Sequence, residues 1–428
     1  MEGRYATALR RVVEAVRIVM PRVLEGRALG TWIVLTLSAI PAAAQSAPAS
    51  LSLQAAMDSA FAANPTIAAA RLRGAIDVAG LAVARERLNP EATVEIERET
   101  PKQAFGFALP LELGGKRGKR IAVSEAAIRA GEAEIAATVA QVRNDVRRAY
   151  YGVLVADTRL ALMREIRDLS ARARDTAQAR FDAGGAPRLE VMQAALALAS
   201  AENEAAAAEG VSVAARTQLN AVLGLPLDAT PTLTAVIDEG GAPTAADAVS
   251  LARTANADLA VLDRRIDEQR ARITLAEALR VPDLIPTATL AHDAQPEFTY
   301  GWRAGVAVTL PIFTRHRAAV LVEQTTLDQL NAERQAALFR ITGAVTAAAV
   351  TAGTERQLYT RYRDQILPQA LQVEQLAQDA YQLGQTGIAA LLQALQATRD
   401  VRLRLLDAVS QLQIALADLE RAMGAPLP

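Results

Sequence analysis

Two long stretches of this chain repeat one another in the same order, and a duplication of that size decides what it can fold into. Phe181-Asp182-Ala183-Gly184, followed by Leu189-Glu190-Val191-Met192-Gln193-Ala194, returns as Tyr381-Gln382-Leu383-Gly384, followed by Ala389-Ala390-Leu391-Leu392-Gln393-Ala394. Leu223-Gly224-Leu225-Pro226 returns as Met423-Gly424-Ala425-Pro426. Both returns lie 200 residues on; Leu109-Pro110-Leu111 meets Leu310-Pro311-Ile312 at 201, and Asn89-Pro90 meets Val281-Pro282 at 192. A fixed order at drifting offsets means two homologous halves, residues 45–232 and 233–428, that carry small insertions. Units this long are not solenoid repeats. They read as part of an assembly built by pseudo-symmetry.

Within each half the pattern is helix, β-hairpin, long helix, turn, return helix. Leu53, Ala56, Met57, Ala60 and Phe61 fall at helical spacings in a segment from Leu51 to Leu88, which Asn89-Pro90 stops. Ala92, Val94 and Ile96 then alternate with polar residues, and Phe105, Phe107 and Leu109 alternate with small ones. Together they predict a hairpin with arms of about 8–10 residues. From Arg120 to Phe181 there is no proline, so roughly 60 residues continue as one helix about 90 Å long. A helix of that length cannot be buried in a globular domain and must pack along others. After a Gly-rich turn at 183–187, a second helix returns from Leu189 to Leu223 with alanine at its interfacial spacings, which lets helix axes approach closely. The second half restarts with a helix from Thr244 to Arg280, a hairpin over 285–311, a long helix over 317–383 and a return to Met423. Pro368 falls inside the second long helix and should kink or loosen it.

Each hairpin has one clearly apolar face. In the second, Trp302, Ala304, Val306, Val308 and Leu310 share a side, opposite Gly301, Arg303, Gly305, Ala307 and Thr309. Four strands cannot close a barrel, and an open apolar sheet cannot sit in lipid. Several copies sharing one barrel solve this, and three copies supply about 12 strands, an even number in the outer-membrane range. The expected fold is therefore mainly α with a small β part: long antiparallel helical hairpins forming an α-barrel, and four strands per chain in a shared barrel.

The composition closes off other classes. There is no cysteine among 428 residues, so disulfides and thiolate metal sites are excluded, and two histidines leave a zinc or di-iron enzyme without ligands. A net charge of −1 implies no polyanionic partner, and no nucleic acid is expected. Residues 1–44 read as a signal peptide, with Arg22 and Arg27 before an apolar run from Thr31 to Ile40 and Ala42-Ala43-Ala44 as the cleavage site; Met20 is an alternative start. No later segment is expected to cross a bilayer as a helix.

At this point the chain from Leu51 to Pro426 resembles the TolC family of outer-membrane efflux proteins. The resemblance rests on Ile366-Leu367-Pro368-Gln369-Ala370, Tyr381-Gln382-Leu383-Gly384 and Leu391-Leu392-Gln393-Ala394, with Arg180 to Gly184 and Leu189-Glu190-Val191 as first-half counterparts. Leu109 to Gly118 further resembles the CzcC-like branch, which serves heavy-metal efflux. What the resemblance implies is a homotrimer in the outer membrane, with a 12-stranded β-barrel and a periplasmic α-barrel. It also implies that the closed tip opens when a periplasmic adaptor protein and an inner-membrane transporter of the RND type dock. Gly184, Gly185, Gly384 and Gly387 would be the tips that meet the adaptor. Some relatives close the pore with an aspartate ring and an arginine network. This chain departs from that pattern: Ala390 and Gln393 stand at the acidic positions and Thr386 at the arginine. A constriction here would rest on Tyr381, Gln382, Gln393 and Glu190, although Glu190 equally suits a solvated carboxylate at a helix start.

Lys116, Arg117, Lys119 and Arg120 follow the first hairpin, and Arg315 and Arg317 follow the second, where strands would leave a bilayer. They read as an interfacial basic belt facing outer-membrane lipid. Gly114-Gly115-Lys116-Arg117-Gly118 lacks the spacing and the Ser or Thr of a phosphate loop. His292 and His316 read as isolated surface histidines, and Arg98 and Arg303 as lumen charges. The expected function is a passive exit duct of a tripartite efflux system for divalent heavy-metal cations, with no cofactor and no catalysis. Drugs or a secreted polypeptide are alternative cargoes, and a periplasmic coiled-coil scaffold without a pore is the rival from another class.

Overall fold

The computed structural model describes residues 50–98, 101–234, 243–294 and 298–427. The expected signal peptide, residues 1–44, lies outside them. In chain order the elements of the first half are α1 (Leu53–Ala63), α2 (Pro65–Arg85), β1 (Glu91–Ile96), β2 (Gln103–Ala108), α3 (Lys116–Asp182) and α4 (Arg188–Leu223). Those of the second are α5 (Ala245–Ala255), α6 (Ala257–Ala278), β3 (Leu284–Ala294), β4 (Phe298–Val308), α7 (Arg317–Arg361), a π-helical turn (Tyr362–Ile366), α8 (Leu367–Gln382) and α9 (Ile388–Met423). The fold is mainly helical with one small antiparallel sheet, as expected.

Where one helix was expected at the start of each half, the chain forms two. Asn64 and Asn256 cause both breaks in the same way. The Asn64 side-chain oxygen accepts from the N–H groups of Thr66 and Ile67, and that of Asn256 from Asp258 and Leu259. Each caps a new helix, while its amide donates to a carbonyl on the return helix, Val222 at 2.7 Å or Ala422 at 2.8 Å. The side chain thus stops one helix, starts the next and ties both to a third. Pro65 at the first helical position was a missed signal for the first break.

α3 runs 67 residues, about 100 Å, and packs along α2, α4 and α6, then meets α9 of the other half. Two cores of the same design hold the halves. The first joins Ala56, Ala60, Ile67, Val146, Tyr150, Leu219 and Leu223; the second joins Ala248, Ala252, Leu259, Val345, Leu412, Leu416 and Met423. Small residues on one helix accept large ones from the next, so the axes stay close. The Tyr150 hydroxyl donates within reach of the Leu51 and Thr234 carbonyls, at 2.9 and 2.8 Å, and so ties the beginning of the first half to the start of the second.

Within Arg317–Gln382 one 18-residue window is apolar enough to cross a membrane by length and composition alone. Alanine and valine produce that apolarity, and α7 and α8 instead pack beside α9. The arms of the first hairpin are shorter than expected, six residues each, while those of the second run eleven each. The four strands form one sheet in the order β1-β2-β3-β4, antiparallel throughout.

Candidate functional site

The sheet has two faces of opposite chemistry. Val94, Phe105, Leu290 and Trp302 stand in one row across all four strands, and Ala92, Phe107, Ala288 and Ala304 in the next. Pro286 beside Val306 and Leu284 beside Val308 extend that face. It stays open, with Trp302 83% and Val306 65% exposed. The reverse face carries Thr93, Gly106, Thr289 and Arg303 in one row, and Glu95, Ala104, Ala291 and Gly301 in another. An apolar face of this extent suits hydrocarbon, and small polar residues behind it suit a water-filled lumen. Among the described residues the outer strands β1 and β4 each present an unpaired backbone edge.

At the far end, both helical hairpins turn by the same device. Gly184 and Gly384 hold φ values of +75° and +71°, and the N–H groups of Gly185 and Gln385 bond back to the Arg180 and Ala380 carbonyls at 2.8 and 2.9 Å. A Cβ at either glycine would meet nothing within 4 Å, so backbone conformation, not crowding, requires glycine there. Gly185 is exposed beside the first turn, and Gly387 caps α9 near the Glu190 carboxylate.

Of the four expected constriction residues, the protomer brings two together. The Tyr381 ring is only 2% exposed, packed among Ala173, Ala177, Ala194, Ile388 and Leu391 from both hairpins. The Arg180 guanidinium lies 4.9 Å over that ring, and its Nη1 reaches the Tyr381 carbonyl at 3.5 Å. Burial pushes the Tyr381 phenol up from its ordinary value, and the Glu190 charge adds to that. Gln382 and Gln393 are exposed. One Glu190 carboxylate oxygen and the Thr386 hydroxyl are buried without hydrogen-bond partners among the described residues.

The expected basic belt is corrected at three positions. Lys116 is buried, and its ammonium sits 2.7 Å from Asp283, at the entry to the second hairpin. Burial alone would raise the Asp283 carboxyl; the Lys116 ammonium and the Leu113 N–H outweigh it and hold the group below the usual carboxylate range. Arg120 turns to Glu112, and Arg117 donates to the Arg85 carbonyl at 2.6 and 2.9 Å. These side chains clip the hairpin base together instead of facing lipid. Lys119 is half-buried, and Arg315 and Arg317 are exposed. The sequence reading also missed a ladder of pairs between halves: Arg147 to Glu420 at 3.0 Å, Arg159 to Asp407 at 2.5 Å, Arg402 to Glu165 at 2.9 Å, and Arg148 to Asp418. Charge spacing on α3 and α9 was visible, but nothing local showed that those helices meet.

A family model described as "Outer membrane efflux protein" matches residues 56–225 and 248–425. The cobalt-zinc-cadmium resistance protein CzcC of Cupriavidus metallidurans is 25% identical over 393 residues, covering 90% of this chain and 93% of its own. The nickel-cobalt-cadmium resistance protein NccC of Alcaligenes xylosoxydans xylosoxydans is 27% identical over 341 residues, 72% of each chain. Among solved structures, CusC superposes with a TM-score of 0.73 at 16% identity, covering 87% of this chain and 92% of that one.

Proposed function

The chain belongs to the outer membrane efflux protein family, and from that premise we propose that it is the exit duct of a tripartite system expelling divalent heavy-metal cations. It is an outer-membrane efflux channel with a periplasmic helical extension, and channels of this family and fold are not enzymes. One observation carries the duct reading: a continuous apolar sheet face with both edges open, mounted on helices about 100 Å long. Three copies pooling their strands satisfy every edge and give about 12 strands in one barrel. The two halves of each chain then serve as pseudo-equivalent staves, six in the trimer.

The helical tube reaches toward an adaptor protein at the glycine turns and an RND-type pump beyond it. The pump supplies the energy, and this chain supplies a sealed path. Tyr381, Glu190, Gln382 and Gln393 narrow the tip in this reading, with the buried Tyr381–Glu190 neighbours holding the two hairpins of one copy together. Replacing both Tyr381 and Glu190 by Ala should raise basal conductance in planar bilayers; unchanged conductance removes them from the gate.

Metal cargo is supported by the names of the two relatives, both resistance proteins for cobalt and cadmium, one also for zinc and one for nickel. A strain lacking this chain should lose tolerance to zinc, cobalt or cadmium severalfold and regain it on complementation. Intact metal tolerance together with lost drug tolerance would transfer the cargo to drugs.

A further inference from the structure

The duplication supplies a template for how one copy meets the next. Moving β1 by 192 residues and β2 by 201 turns the pair Ala92–Phe107 into Leu284–Val308, and Val94–Phe105 into Pro286–Val306. Both are pairs the second hairpin makes, so the offsets read from the sequence are also the structural offsets. The two hairpins join through β2 and β3, where the Leu109 N–H bonds to the Pro286 carbonyl at 3.0 Å and Leu111 pairs with Leu284. Below that seam, Lys116 meets Asp283. The same offsets move β2 onto β4 and β3 onto β1 of another molecule.

We infer that a second copy of this chain docks its β1 edge on β4 in the register copied from β2–β3. Leu310 then stands opposite Val94 of the neighbouring copy, Val308 opposite its Ile96, and Arg317 beside its Glu91, as Lys116 stands beside Asp283. This deepens the shared-barrel reading above and rests on it.

Independent features of the chain agree with this register. Val308, Leu310, Val94 and Ile96 all belong to the apolar face, so its rows continue unbroken across the seam; a slip by one residue would set apolar against polar. All four are exposed in the single protomer, at 42%, 63%, 56% and 68%. Arg317 and Glu91 are exposed and of opposite charge, and neither forms an ion pair among the described residues. Their counterparts Lys116 and Asp283 have opposite charges of the same sense, basic after the hairpin and acidic before it. The contact between halves and the contact between copies are then one design used twice, which closes the ring.

The chain has no cysteine of its own, so a cysteine pair reads the register directly. Within one copy β1 and β4 are three strand spacings apart, about 14 Å, beyond the roughly 7 Å limit for a disulfide. Outer membranes carrying Val94→Cys with Leu310→Cys should, on oxidation, give a covalent ladder up to trimer mass that collapses on reduction; each single variant should stay at monomer mass. A trimeric protein with no ladder, or one linked instead by Val94→Cys with Val308→Cys, overturns the register and leaves the shared barrel standing. Wild-type protein that is monomeric in detergent sinks the shared barrel itself. Arg317→Glu should lower the temperature at which the trimer dissociates, and Glu91→Arg in the same chain should restore it. Absence of rescue would mean that Arg317 acts alone and would overturn the ion pair.

Discussion

The two long helices hold corresponding places in the repeated order of the sequence yet are built differently. α3 continues as α-helix for 67 residues, whereas its counterpart is α7 of 45 residues, a π-helical turn of five and α8 of 16. Pro368 accounts for the difference. It has no N–H to give the carbonyl four residues back, and its ring crowds that turn, so the helix widens until the Leu367 N–H reaches the Tyr362 carbonyl five residues back. The matching position in the first half is Asp168, which leaves the ladder intact. The difference teaches that duplication preserved the stave and one imino acid gave the second stave a place to bend.

The largest effect should come from cutting the link between the two halves. Arg147→Ala leaves the Glu420 carboxylate, 10% exposed, without its buried partner. Removing one member of such a pair costs about 3–5 kcal/mol, visible as a lower Tm in detergent. Next, Asp168→Pro should make the first helix resemble the second. The exposed side chain contributes little, so the loss of about 3 kcal/mol would be the backbone's. The reciprocal Pro368→Ala should raise hydrogen-exchange protection over 362–368 to that of 162–168; equal protection before and after would remove the hinge from the comparison.

Glycines rank next. Gly424 has φ +75°, and a Cβ there would overlap the Ala255 carbonyl, whereas Gly384, at +71°, faces open space. Gly424→Ala should therefore cost about 2–4 kcal/mol and Gly384→Ala about 1, with Gly184→Ala matching the latter. The smallest effect is at the hairpin base. Asp283 titrates lower when folded than when unfolded, so its contribution is present above the ordinary carboxylate range and is lost as pH falls through the lowered value. Wild type should be the more stable than Asp283→Asn at pH 7, and the gap should close under acid; a gap that persists there would assign the effect to shape instead of charge.

Much of this architecture was legible in residue order. Alternation at 92–96 and 105–109 marked strands because a pleat presents every second side chain to one side, and the long proline-free run marked a helix because nothing in it interrupts the ladder. The breaks at Asn64 and Asn256 were not read, because an asparagine becomes a stop only when its amide finds a carbonyl on another helix. Lys116 looked like its basic neighbours until folding placed Asp283, 167 positions away, beside it. The burial of the Tyr381 ring was not legible, because it lies between two hairpins whose approach no local pattern encodes.

By itself the sequence determined the duplicated halves, the class and order of their elements, and a sheet with one apolar face. These follow from periodicity and backbone chemistry within a few residues. Only the tertiary structure decided which charges are clips and which remain free, where each half bends, and which strand edges stay unpaired. Those depend on which distant segments share a few ångströms, and that distance is set by packing rather than by neighbours along the chain.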